Sequence, residues 1–195
     1  MRDTFIKELT QLAAEDNDLM LLTGDLGFGV FEEFRDLYPK QFLNVGVAEQ
    51  NMTMVASGLA LKGKKVFTYS IGNFPTLRCL EQIRNDVCYH DLNVTIVSIG
   101  GGFSYGSLGM SHHATEDLSI MRALPNMICV SPSSLQETKN ATTALYQNSG
   151  PSYLRLDKSF AKYDNQNDFN IGKAIKIKEG KDLTIISTGG ILQEV

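Results

Sequence analysis

The residues most able to do chemistry fall in short stretches that each follow an apolar run. Glu49 stands at the start of a helically spaced stretch, within Val47-Ala48-Glu49-Gln50-Asn51-Met52. A carboxylate in the first turn of a helix is favoured by the dipole by ~0.3–1 kcal/mol, so the position tolerates an acid whatever else that acid does. His112 and His113 sit in a long glycine-rich loop, Gly100 to His113. A histidine there can donate a hydrogen bond to a carbonyl or shuttle protons near neutral pH. Arg155 closes an apolar run, where its planar fork suits either a carboxylate partner or a phosphate. Asp25 follows Gly24 at the end of another run and equally suits the closing of a turn. Phe67, Tyr69 and Phe74 cluster around a fourth such place.

Several chemistries are excluded by spacing or charge. Gly24, Gly27 and Gly29 read G-x-x-G-x-G, which is not the dinucleotide fingerprint, and no G-x-x-x-x-G-K-[ST] phosphate loop occurs. Adjacent histidines are poorly placed to share a metal, and Thr115-Glu116-Asp117 reads as an ordinary helix start, so no metal site is expected in this chain. Cys79, Cys88 and Cys129 show no C-x-x-C spacing and read as reduced, mostly buried small hydrophobes, pointing to a cytoplasmic protein. A formal net charge of -4 lacks the basic footprint that nucleic acid requires. No apolar run approaches the ~18 residues of a membrane span, and charges at Arg2 and Asp3 interrupt any signal-peptide core.

Six short strands must position these residues: 19–23, 42–46, 65–69, 94–99, 127–130 and 152–156. Phe5, Leu9, Leu12 and Ala13 mark an opening amphipathic helix, and helical stretches at 48–61, 76–89, 115–123 and 135–147 fill later gaps. Strands separated by helices pair in parallel with helices on both faces. The expected fold is therefore α/β, a doubly wound, six-stranded and mostly parallel sheet. Ligands of such sheets collect outside the carboxyl ends of the strands, and four unusual loops, at 24–29, 47–51, 70–74 and 100–113, fall there. Residues 1–158 form the expected domain. A polar stretch, 159–181, reads as a linker, and 182–190 reads as a seventh strand opening a second, truncated domain that runs to residue 195.

At Val47–Met52 the sequence resembles the pyrimidine-binding domain of the transketolase family. The resemblance continues through Leu80-Glu81-Gln82-Ile83-Arg84-Asn85-Asp86, Gly109-Met110-Ser111-His112, Met121-Arg122-Ala123-Leu124-Pro125-Asn126 and Gly150-Pro151-Ser152-Tyr153-Leu154-Arg155. The fold it implies is the thiamine-diphosphate-binding fold. It implies an enzyme component that uses thiamine diphosphate to transfer a two-carbon ketol or acyl unit between carbonyl or sugar compounds. Glu49 is then the acid that hydrogen-bonds the aminopyrimidine ring, so that the exocyclic nitrogen can serve as a base. Phe74 or Tyr69 would stack on that ring, and Asp25 would lie near the cofactor at a subunit interface. His112, with His113 beside it, would face the substrate, and Arg155 would hold a substrate phosphate.

The sequence also departs from the pattern. Leu108 stands where relatives carry an acid four positions before the loop histidine, and Gly100 stands near the place where sugar-phosphate-using relatives carry a further substrate-binding histidine that this sequence lacks. The family's diphosphate- and magnesium-binding motif, G-D-G followed by an asparagine pair, is missing from these residues. Mg²⁺ and the diphosphate are thus expected to be held by a partner subunit or domain, in a homodimer core or a heterotetramer with a large apolar interface. Two rival readings share the sheet: a catalytically silent regulatory or assembly subunit, and a flavodoxin-like nucleotide-binding module.

Overall fold

The computed structural model describes residues 1–162 and 169–195. Strands β1 (Leu19–Thr23), β2 (Phe42–Asn44), β3 (Lys65–Ile71), β4 (Val94–Ile99), β5 (Ile128–Val130) and β6 (Ser152–Leu156) form one sheet in the order β2-β1-β3-β4-β6-β5. All five pairings are parallel. The central strands β1 and β4 are buried at every position, as expected of strands covered on both faces.

Strand alternation sorts the core into two layers. Leu19, Leu21, Phe67, Tyr69, Val97, Leu154 and Leu156 face one side, packing with Phe5 and Leu9 of α1 (Arg2–Glu15) and with Ala141 and Leu145 of α6 (Leu135–Gln147). Met20, Leu22, Val66, Val94, Ile96 and Tyr153 face the other side. There they meet Met52 and Ala56 of α3 (Glu49–Leu61), Met121 of α5 (Asp117–Arg122) and a helical segment at 77–88, here α4. Segment α4 changes pitch along its length, from a 3₁₀ turn at Leu77–Cys79 through Leu80–Gln82 to a π-helical stretch at Ile83–Cys88. A short helix that the sequence pattern does not announce, α2 (Glu32–Leu37), places Phe34 on the α1 side.

The run at 182–190 does not form a strand. Leu183, Ile185 and Ile186 are exposed, and the chain turns instead into a 3₁₀ segment, Gly189–Glu194. A lone extended segment offers the backbone no ladder; at its end, Thr188 Oγ1 and the Gly189 amide each donate to Ser131 O at 3.1 Å, one residue beyond the edge strand β5. The stretch read as a linker, 159–181, carries no helix or strand among its described residues, and 163–168 lie outside them. It nevertheless touches the first core: the Ala161 amide donates to Ser133 O at 2.8 Å and Phe169 packs beside the α1-side cluster. Among the described residues no helix is long and apolar enough to cross a membrane.

Candidate active-site crevice

The chain leaves β1 toward α2 on one face and leaves β3 toward α4 on the other. Neighbouring strands whose connections diverge in this way open a crevice at their carboxyl ends. The first turn of α3 reaches into it from β2. Gly24, directly after β1, borders Glu49: a Cβ there would lie 3.4 Å from the Glu49 Cγ, an ordinary van der Waals contact. The Glu49 side chain is 3% exposed, and its Oε2 accepts from Arg78 Nη1 at 2.7 Å.

Loops after β3 and β4 complete the rim. Gly72 is needed where they meet, because a Cβ there would stand 2.9 Å from His112 O and 3.2 Å from Gly100 O. The Phe74 ring then lies edge-on to the His112 ring, with centroids 4.9 Å apart. On its other flank the Arg78 guanidinium sits 4.3 Å from the Phe74 centroid. His112 receives or donates a 3.0 Å bond between Nδ1 and Ser111 Oγ, depending on its tautomer. Beyond it, Tyr105 lies 5.8 Å away, and the Lys158 Nζ caps the Tyr105 ring at 3.5 Å. The result is one continuous path, Glu49–Arg78–Phe74–His112–Tyr105–Lys158.

Of the residues singled out from sequence, Glu49, Phe74 and His112 are brought together. Asp25 borders the crevice with a positive φ of 57°. It exchanges two 3.0 Å bonds with Asn44, one from its own amide to Asn44 Oδ1 and one from Asn44 Nδ2 to its carboxylate. His113 turns away, its Nε2 3.0 Å from Gly106 O and its ring edge-on to Phe103.

Tyr69 requires a correction. Its ring packs against Phe5 and stands edge-on to Phe31 at 4.7 Å, buried in the α1-side core. Odd-numbered residues of β3 face α1 and α6, whereas α3 and Glu49 lie on the opposite face, so Tyr69 cannot present its ring there. Burial raises its phenol well above the usual range.

Arg155 lies on the α3 side at the end of β6, 13% exposed, between two carboxylates. Its Nε is 3.0 Å from Asp117 Oδ2, off the line of a hydrogen bond, and its Nη1 is 3.6 Å from Asp157 Oδ1. Asp117 Oδ2 also accepts from the buried Tyr153 hydroxyl at 2.5 Å. Burial, then the Asp117 charge, pushes that phenol's pKa up. Arg155 also packs hard under the loop, since a Cβ on Gly101 would run into its guanidinium. Its charge is already met, and it faces a separate cleft of about 380 Å³ shared with Gly101, Asp157 and the 3₁₀ segment.

Three residues of the path carry no signal that singled them out in sequence: Arg78, Tyr105 and Lys158. Arg78 follows Phe74 by four positions, a spacing that places two side chains on one side of a helical turn. Tyr105 also explains a departure from the family pattern. Gly100 has φ 83°, and a Cβ there would strike the Tyr105 ring, so the tyrosine occupies space that a larger side chain at 100 would need. Leu108 is exposed on the same loop. Cys79, Cys88 and Cys129 are free thiols pushed up to about 11 by burial. No group of three or more metal-ligating side chains converges among the described residues.

Comparison with known proteins gives this crevice a context. The profile of the family described as "Transketolase, pyrimidine binding domain" matches residues 1–162. The chain belongs to this family. It is 40% identical over 194 residues to a "Putative transketolase C-terminal section" of Methanocaldococcus jannaschii, covering 97% of this chain and 61% of that protein. It is 35% identical over 192 residues to one subunit of an apulose-4-phosphate transketolase of Phocaeicola vulgatus, covering 96% of this chain and 62% of that subunit. A solved "Split gene transketolase, inactive beta4 tetramer" superposes with a TM-score of 0.87 at 35% identity, over 97% of this chain and 62% of its own. This member of the transketolase family thus spans about three-fifths of the length of the relatives it matches.

Proposed function

We propose that this chain supplies the pyrimidine-binding side of a thiamine-diphosphate-dependent transferase that moves a two-carbon ketol or acyl unit between carbonyl or sugar compounds in the cytoplasm. The observation that carries the reading is a carboxylate, Glu49, held almost wholly out of water at the crevice where Phe74 and His112 also converge. A buried acid beside an aromatic face fits a flat heterocycle that needs one strong hydrogen bond and one stacking surface.

When bound, thiamine diphosphate supplies a thiazolium carbon able to add to carbonyls, with its own exocyclic amine as the base. The chain's residues have supporting roles. Glu49 holds a proton against a ring nitrogen, Phe74 fixes the ring plane, and His112 presents a donor to a substrate oxygen from the rim. Lys158, with its ammonium over Tyr105, adds a positive charge suited to an anionic substrate. The diphosphate and Mg²⁺ fall to a partner subunit or domain, a division supported by the missing G-D-G and asparagine-pair motif in these residues. Residues 182–195 are then the opening of a further domain, with 159–181 joining it to the first.

A silent assembly subunit is the second reading, favoured by Leu108 and by Tyr105 filling the space above Gly100. Calorimetry separates the two. The chain alone is expected to bind thiamine diphosphate with Mg²⁺ weakly, and tightly once mixed with a subunit carrying the diphosphate motif. Tight, Mg²⁺-dependent binding by the chain alone would refute the divided site. No gain on mixing would favour the silent subunit.

A further inference from the structure

The guanidinium of Arg78 makes both contacts that a pyrimidine ring would need in this crevice. It donates to Glu49 Oε2 at 2.7 Å and lies 4.3 Å from the centroid of Phe74. A flat, delocalised cation stacked on an aromatic ring and bonded to a carboxylate is close in shape and hydrogen-bonding to a protonated aminopyrimidine. Its backbone is tied to the same place, since Gln50 Nε2 in the first turn of α3 donates to Arg78 O at 3.1 Å. Cys79 Sγ also donates to Phe74 O at 3.2 Å, fixing the turn that carries the arginine.

The two partners differ in what they lose on separation. Arg78 is 43% exposed and can pass into water, whereas Glu49 is 3% exposed and cannot. Leaving a buried carboxylate unpaired is costly. Arg78 therefore leaves readily only when another donor takes its place on Glu49.

We propose that Arg78 is an internal competitor for the aminopyrimidine site, holding Glu49 and Phe74 until a pyrimidine ring displaces it. The proposal rests on the reading of Glu49 and Phe74 as the ring-binding pair. It makes pyrimidine binding weaker than the crevice alone would allow, by the fraction of time Arg78 is away. It also keeps a buried charge satisfied in chains that have not met cofactor or partner.

The test uses the full chain and a neutral probe, 4-amino-5-hydroxymethyl-2-methylpyrimidine, titrated by NMR. A neutral probe prevents the loss of a positive charge at Arg78 from acting through long-range attraction. Arg78→Ala and Arg78→Gln are each expected to bind it ~10-fold more tightly than the unaltered chain, as for a site open about a tenth of the time. Adding Glu49→Gln to Arg78→Ala should remove that gain. Equal or weaker binding by both Arg78 variants, with binding still lost in Glu49→Gln, would overturn the competitor and keep the pyrimidine site. Binding indifferent to Glu49→Gln, or absent from every form, would overturn both.

Discussion

Replacing Asp117 by alanine should destabilise the fold more than any other single loss near the rim. Its carboxylate is 2% exposed. It accepts from the Tyr153 hydroxyl at 2.5 Å and faces the Arg155 Nε at 3.0 Å. Removing it strands a fully buried phenol and leaves Arg155 with Asp157 at 3.6 Å as its remaining counter-charge. Breaking a buried pair from one side typically costs ~3–5 kcal/mol, and Asp157 offsets part of that, so about 3 kcal/mol is expected. For a chain of this size each kcal/mol moves the melting midpoint by about 2–4 °C, giving a fall of about 6–12 °C. Asp117→Asn keeps an acceptor for Tyr153 and should cost less than half as much. Urea and thermal melts of both variants, with Tyr153→Phe completing a double-mutant cycle, measure these contributions. A loss below about 1 kcal/mol for Asp117→Ala would refute the network as a structural tie. It would also reopen Arg155 as a group free to meet a substrate.

Stability should also decline above neutral pH through the three thiols. Their folded values of about 11 lie above the ordinary thiol value of 9.0. Below pH 9 both states keep the proton and the contribution is whole; between 9 and 11 the unfolded chain sheds protons that the folded chain retains, so stability falls. A urea midpoint unchanged between pH 8 and pH 10.5 would contradict the burial of these groups. Gly72→Ala is expected to push the His112 loop from the β3 loop, because its Cβ would lie 2.9 Å from His112 O at a φ of 29°. Its amide spectrum should change at 100–114 and at 72–78 together; shifts confined to residue 72 and its neighbours would show that the loops are not coupled there.

Much of this architecture was legible because parallel strands buried on both faces announce themselves as apolar runs. All six runs paired, and the helix read at 48–61 forms as α3 from Glu49, with Ala48 as its N-cap. What escaped the sequence was which face each side chain takes. Tyr69 lies one residue from Ser70 on the opposite side of β3, and only the packing of α3 on the sheet through Met52 and Ala56 decides which of them looks toward Glu49. Arg78 gave no signal because a charged residue at a helix start usually points to water. Here the 3₁₀ turn bends it back over Phe74. Arg155 had two open partners in sequence, and Asp117, far along the chain, supplied the one that no local pattern reveals. The run at 182–190 reads as a strand and turn by composition alone, yet pairing needs an edge that composition does not contain.

The most direct test of the central claim is the rate at which the thiazolium C2 proton of thiamine diphosphate exchanges with deuterated water in the reconstituted complex. Glu49→Gln is nearly isosteric and its amide oxygen can still accept from Arg78, so folding and assembly should persist with an unchanged melting curve. Without an acid at this position, exchange should slow by ~10²–10⁴-fold, the range of general acid–base assistance. Exchange as fast as in the unaltered complex, with the variant folded and the cofactor bound, would contradict the role of Glu49.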